Sequence, residues 1–262
     1  MFSTLLLTTT LAALTSAHTA AWTQGMYCKD GNTSTPNPNT NTAVNPLYQL
    51  PKEKWWFQHD RSCDLFPPSP GEFLELPANG EFTVELAHNR GQTTLTDPDA
   101  DRLQWPDGQD HPDDWNSWEG PGSPCLEDGA MHAYNETSAA GTAWAISYES
   151  EIEKVTLENL VVFSTLQHTP WKRRATYQVP DLMACPEGGV TVRGFAPAQA
   201  PVYCADDASK CVKGAKQMIA WHQETGNNIE TADGISPGYN EKCGWTNGAQ
   251  HDIFGRPVAE NF

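Results

Sequence analysis

The chain has 262 residues, of which 33 are acidic and 16 basic, so its formal net charge is −17. A surface this acidic excludes nucleic acid and anionic membranes as favourable partners, but it is compatible with neutral carbohydrate, small molecules and metal cations. Twenty prolines and twenty glycines favour a loop-rich β protein over a helical one, and ten tryptophans could serve a core or a sugar-binding surface.

The N-terminus predicts a secretory signal peptide over residues 1–17. Residues 5–13 form a short apolar run that ends in small residues with Ala17 last. No later segment is apolar enough to span a membrane, so we expect a secreted, extracellular protein. Cleavage would leave His18 as the first residue, and an N-terminal histidine offers an α-amine and a ring nitrogen to one metal ion. The alternative is that a histidine follows the cleavage site by chance.

The first half of the mature chain predicts strands separated by polar loops. Residues 19–28 are typical of a strand or extended arm, and residues 30–46 of an exposed loop rich in Asn, Thr and Pro. Residues 81–88 alternate strictly between polar and apolar side chains, which predicts a half-buried strand. A turn at residues 77–80 would join it to a second, less regular strand at residues 72–76.

The later strands complete a β-sandwich prediction. Residues 143–148, 155–164 and 171–180 are apolar, aromatic or β-branched, and no long helical period occurs. The Trp-Trp-Phe sequence at residues 55–57 predicts packing in or at the edge of the core, with a sugar-stacking surface as the alternative. Residues 96–124 lack the spacing of a calcium loop and predict a long solvated loop.

We expect residues 1–17 to be the signal peptide, residues 18–204 the sandwich, and residues 205–262 a C-terminal extension packed on it. The extension is too small for its own core, and residues 209–223 predict a short helix. Two sequons, at Asn32 and Asn135, predict N-glycosylation.

The cysteines match no zinc motif, and in a secreted chain they predict disulfide bonds. They are odd in number, so one lacks a partner: Cys28, Cys63, Cys125, Cys185, Cys204, Cys211 and Cys243.

A copper site would need a third nitrogen besides the two of His18, and another histidine must supply it. The choices are His59, His88, His111, His132, His168, His222 and His251. His132 is preferred, because it stands between small residues just before a predicted strand, where a loop would leave its ring exposed.

These residues carry a family resemblance. His18 after a signal peptide, Gly-Ala-Met-His-Ala at residues 129–133 and the stretch 139–148 resemble fungal lytic polysaccharide monooxygenases, and within those auxiliary-activity family fourteen. Three more segments are similar, and the resemblance runs over most of the mature chain. They are residues 158–164, 169–173 and 211–219.

The resemblance implies an immunoglobulin-like antiparallel β-sandwich that holds one copper ion in a histidine brace. His18 would bind through its amine and ring and His132 through its ring, as both the metal ligands and the catalytic residues. An external reductant and dioxygen or peroxide would drive oxidative cleavage of glycosidic linkages in plant cell-wall polysaccharide, of which xylan on cellulose is the substrate attached to the family. We expect a monomer.

One departure from the family concerns the axial side of the copper. After the segment that matches residues 185–188, the family has a Trp- and Cys-rich stretch that ends in an axial tyrosine. This chain continues directly with Val190, and neither Tyr177 nor Tyr203 matches that motif. The gap would explain the odd cysteine count and would impair the enzyme. It indicates an error in the gene model covering residues 186–203, with a diverged, inactive protein as the alternative.

Three other functions are considered. A non-catalytic copper-binding protein on the same scaffold is the main one, and a sugar-binding or structural sandwich with an incidental His18 is the next. The many carboxylates are also compatible with a two-carboxylate glycosidase. Neither Gly-x-Ser-x-Gly nor His-Glu-x-x-His occurs, which argues against hydrolysis by those routes.

Overall fold

The computed structural model describes residues 18–115, 133, 135–182, 197–231 and 235–253. The predicted signal peptide and His132 lie outside this part of the chain. Within it the strands are β1 Ala20–Trp22, β2 Glu81–Ala87, β3 Thr142–Ile146, β4 Val161–Leu166, β5 Arg174–Gln178 and β6 Gly248–Ala249.

The described helices are short. The α-helix α1 spans Lys52–Trp55, and none of the described helices has the length and apolar character of a membrane span. The 3-10 helices are Thr42–Val44, Trp56–Arg61, Cys63–Leu65, Arg90–Gln92, Pro98–Arg102, Glu136–Ser138, Ile152–Lys154, Ala208–Lys210 and Glu241–Cys243.

The strands form two three-stranded antiparallel sheets. One has the order β1-β2-β5, and the other has the order β3-β4-β6. In the first sheet Thr83 of β2 lies opposite Thr176 of β5, and their hydroxyl oxygens are 2.7 Å apart. In the second sheet Ser164 of β4 pairs with Ala249, so residues from the C-terminal part of the chain complete this sheet. The prediction of an all-β protein is confirmed.

The two sheets face each other across one apolar core. Phe82, Val84 and Leu86 project from β2 on alternate positions, as the two-residue repeat of a strand requires. They meet Val161 and Phe163 of β4 in the same buried cluster. This layered packing is the predicted sandwich.

Two local predictions were wrong. Residues 72–76 form no strand, because their backbone pairs with no neighbouring strand. Residues 211–223 form no helix, and only Ala208–Lys210 makes a 3-10 turn. Instead, the backbone around Lys216 forms hydrogen bonds with distant segments. The Lys216 carbonyl accepts from the Val162 amide at 3.0 Å, and the Gln217 amide donates to the Gln199 carbonyl at 3.0 Å.

The structure resolves two disulfides. Cys28 pairs with Cys63, and Cys204 with Cys211. Cys243 is buried and in no disulfide among the described residues, and burial raises the pKa of its thiol. Cys125 and Cys185 lie outside the described residues.

Candidate functional site

His18 lies two residues before the first paired residue of β1. Ala20 pairs with Ala87 at the end of β2, and the Trp22 indole donates to the Ala87 carbonyl at 2.8 Å. Trp22 is 1% exposed and packs in a cluster that contains the Cys28–Cys63 disulfide. The segment that carries the half-buried His18 is therefore fixed beside the C-terminal end of β2.

The chain that follows His132 is anchored in a second buried cluster. Ala133 is 1% exposed and packs with Trp105, Ala139 and Trp171. His132 itself lies outside the described residues, so its ring position stays a prediction.

A backbone hydrogen bond connects these two anchors. The amide of His88, the residue after β2, donates to the carbonyl of Pro106 at 3.2 Å, and Pro106 follows Trp105 directly. The end of β2 that pairs beside His18 therefore also contacts the loop that packs with Ala133. The fold brings the segments on either side of the predicted brace to the same end of the sandwich.

A row of rings surrounds Ala133. The His111 ring stacks on Trp115 with centroids 3.5 Å apart, and Trp115 stacks on Trp171 at 5.3 Å. The Lys172 ammonium lies 3.6 Å above the Trp105 ring, a cation–π contact. The first half of residues 96–124, predicted to be solvated, thus supplies buried aromatic packing. The signal for it was the spacing of tryptophans in an otherwise polar loop, where an exposed indole would be unfavourable.

The other histidines lie in separate surroundings. His59 Nδ1 is 2.7 Å from the Asp64 carboxylate, and His111 Nε2 is 2.7 Å from Asp107. His222 stacks on Trp221. In the described ranges no three His, Cys, Asp or Glu side chains converge in a way that could hold a metal ion. Of the two predicted copper ligands, His18 lies among the described residues and His132 does not.

Both tyrosines considered for the axial position are packing residues. Tyr177 is 1% exposed, its hydroxyl lies 2.5 Å from Thr142 Oγ1, and burial raises its pKa. Tyr203 is partly buried against the cluster of Val162, Cys243 and Trp245. Both side chains therefore contribute to packing.

A β-sandwich with a histidine two residues before its first strand is the architecture expected of a lytic polysaccharide monooxygenase. The family model described as "Lytic polysaccharide monooxygenase AA14" matches residues 1–208 and 193–260. This chain belongs to the AA14 family of lytic polysaccharide monooxygenases. It is therefore an oxidoreductase of a family that degrades polysaccharide.

Curated relatives agree with this assignment. The chain is 37% identical to the "AA14 family lytic polysaccharide monooxygenase B" of Talaromyces rugulosus, over 92% of this chain and 94% of that relative. It is 32% identical to a protein of the same name from Trametes coccinea, over 92% of this chain and 63% of that relative. A Trametes coccinea protein named "AA14 family lytic polysaccharide monooxygenase A" is 29% identical over 96% of this chain.

Part of the Talaromyces relative has no counterpart in this chain. The comparison with the Talaromyces protein extends over 276 residues, more than the 262 of this chain, so the relative has residues without a counterpart here. The two ranges matched by the family model overlap at residues 193–208.

Proposed function

We propose that the chain, once residues 1–17 are removed, is a secreted copper-dependent monooxygenase that cleaves xylan- or cellulose-type linkages. One copper ion would be held by the amine and ring of His18 and the ring of His132. The observation that carries the proposal is the anchoring of His18 and Ala133 at the same end of the sandwich.

The donor set suits copper. His18 supplies an imidazole nitrogen and, after cleavage, a primary amine, and nitrogen donors of this kind favour Cu(II). When bound, copper would supply one-electron redox chemistry with dioxygen or peroxide and an external reductant. The role of the chain is to position the ligands: the Trp22–Ala87 hydrogen bond orients the arm of His18, and the packing of Ala133 fixes the backbone after His132.

The charge of the protein supports a neutral glycan as substrate. A net charge of −17 opposes the binding of acidic polymers, whereas it does not oppose cellulose or unsubstituted xylan. Xylan is proposed from the family resemblance.

Copper binding is tested with mature protein that begins at His18. We expect one Cu(II) per chain with nitrogen coupling in the EPR spectrum. His132→Ala and an extra glycine before His18 should each abolish that signal, because each removes brace nitrogens or their geometry. His59→Ala is the matched control, since His59 pairs with Asp64 and should leave the signal unchanged. Equal copper affinity in the extended protein would contradict the proposal.

The second candidate, a non-catalytic copper protein, is favoured by the departure from the family pattern after residue 188. Mass spectrometry of xylan-coated cellulose incubated with the protein and ascorbate separates the two. The monooxygenase proposal predicts oxidised oligosaccharides that disappear with the extra N-terminal glycine. An intact copper signal without oxidised products would establish the non-catalytic alternative.

A further inference from the structure

A shallow surface cleft is lined by Gln49, His222, Gln223 and Glu224, and Tyr48 is next to it. We propose that this cleft is a second carbohydrate-binding subsite, which takes a neutral pyranose unit of the polysaccharide. The choice of polysaccharide as ligand rests on the proposed function, whereas the cleft itself needs no copper.

The cleft is separate from the brace region. The chain beside it packs in a cluster of Trp55, Leu157 and Ala220, and Leu157 lies in the connection between β3 and β4. Ala139 and Trp171, which pack with Ala133, flank the opposite end of the β3–β4 hairpin. Strands of five or six residues, such as β3 and β4, span roughly 17–20 Å. A sugar in the cleft would therefore be an anchoring unit and not the unit that reacts.

The two segments that form the cleft are held rigidly together. The Gln49 amide donates to the His222 carbonyl at 2.8 Å, and the Glu224 amide donates to the Leu50 carbonyl at 3.0 Å. Gln223 bridges them as well, since its side chain donates to the Leu47 carbonyl at 2.6 Å and accepts from the Leu50 amide at 3.2 Å. The cleft is thus preformed, which lowers the entropic cost of binding.

Two residues of the cleft adopt a backbone conformation that favours glycine. Gln49 has φ = 50° and His222 has φ = 53°. For residues with a side chain the left-handed region is energetically unfavourable, and such strain clusters at ligand-binding sites. Glycine would relieve the strain but would remove the amide of Gln49 and the ring of His222 from the cleft.

The side chains suit the two kinds of surface on a sugar. Tyr48 is 60% exposed, and its ring meets the His222 ring edge-on at 6.0 Å, while His222 stacks on Trp221 at 4.0 Å. Such rings offer an apolar surface for the C–H face of a pyranose.

The polar groups of the cleft suit the hydroxyl edge. The side chains of Gln49 and Glu224 form no hydrogen bond within the described ranges, so they are available to sugar hydroxyls. The Glu224 carboxylate and the acidic surface disfavour an acidic sugar.

The test is titration of copper-free protein with cellohexaose and xylohexaose by calorimetry, together with co-sedimentation on cellulose. Tyr48→Ala should weaken oligosaccharide binding about tenfold, because it removes the exposed ring. Gln49→Ala should weaken it about threefold. Phe73→Ala is the matched control, since Phe73 is an exposed aromatic of similar accessibility, 64%, outside the cleft. It should bind as the parent protein does.

Unchanged binding in Tyr48→Ala, an equal loss in Phe73→Ala, or no binding by the parent protein would each overturn the subsite. Thermal unfolding of the three variants verifies that they fold. The protein with an extra N-terminal glycine separates this result from the proposed function. If it loses oxidised products but keeps oligosaccharide binding that depends on Tyr48, the two sites are distinct. Oxidised products with binding indifferent to Tyr48 would refute the subsite and leave the monooxygenase intact.

Discussion

Arg173 has a fully buried side chain and forms an ion pair with Glu85 of the neighbouring strand. The other Glu85 oxygen accepts hydrogen bonds from the amide and hydroxyl of Thr94 at 2.9 and 2.6 Å, and Arg173 Nε donates to the Leu103 carbonyl at 2.8 Å. Thr94 and Leu103 belong to the loop that leads to Trp105. The pair therefore ties that loop, and with it the packing around Ala133, to the first sheet.

Removing one partner of this pair should be strongly destabilising. Arg173→Met would leave the Glu85 carboxylate buried without its counter-charge, so we expect a loss of about 3–5 kcal/mol in the free energy of unfolding. Arg174→Met is the control, because Arg174 is 58% exposed and its pair with Asp101 should contribute about 0–1 kcal/mol. Urea denaturation measures both, and equal losses would contradict the prediction.

The two disulfides should differ in how much they stabilise the fold. Cys28 and Cys63 close a loop of 35 residues, and Cys204 and Cys211 one of 7. Loop-closure entropy gives about 4 kcal/mol for the longer loop and about 2.4 kcal/mol for the shorter one. The Cys28→Ala, Cys63→Ala double variant should therefore melt at a lower temperature than the Cys204→Ala, Cys211→Ala variant. The reverse order in calorimetry would show that unfolded-chain entropy does not dominate.

Stability should fall at alkaline pH because of Tyr239. Burial raises the pKa of Tyr239 from 10.0 to about 12, and its hydroxyl accepts a hydrogen bond from the Ile219 amide at 2.9 Å. Between these values the unfolded chain loses the phenol proton and the folded chain keeps it, so stability decreases with rising pH. Tyr239 is only partly buried against the cluster of Val162, Cys243 and Trp245, so solvent screening reduces the effect and we expect a contribution of about 1–2 kcal/mol. Tyr239→Phe should flatten the fall between pH 10 and 12 in urea titrations, and an unchanged slope would contradict this.

Lys216 should be replaceable without loss of stability. It is 2% exposed, its ammonium lies 4.5 Å from the Trp245 ring centre, and it donates a hydrogen bond to the Gly214 carbonyl at 3.4 Å. Burial lowers the pKa of Lys216, so the folded state disfavours the charged form. Lys216→Met keeps the aliphatic packing and removes the charge, so stability at pH 7 should rise by about 1 kcal/mol.

The pH dependence of this residue has a definite sign. Below 10.5 and above the lowered pKa, the unfolded chain binds more protons than the folded chain, so stability rises with pH in that window. Lys216→Met should remove this rise. Lys216→Ala is the comparison, because it also removes the packing on Trp245 and should be destabilising. Equal effects of the two substitutions would contradict the burial argument.

The sequence alone determined the strands that have a clear pattern. Strict alternation over residues 81–88 predicted β2, and Glu81 and Thr83 face solvent as that pattern requires. Residues 72–76 have a similar composition but form no strand, since strand formation depends on a partner that local sequence does not contain. The sequence motifs around His18 and at residues 129–148 likewise predicted the class of protein, which the comparisons confirm.

Only the tertiary structure decided which polar residues are buried and which segments meet. Glu85 belongs to the polar face of the alternating pattern, yet it is buried, because Arg173 and Thr94 reach it from distant parts of the chain. The alternating pattern tells which side chains share one face of a strand, but it does not tell which other segments pack on that face. The meeting of Gln49 with His222 is likewise set by long-range hydrogen bonds. The sequence thus determined the chemistry of single residues, and the fold decided which of them act together.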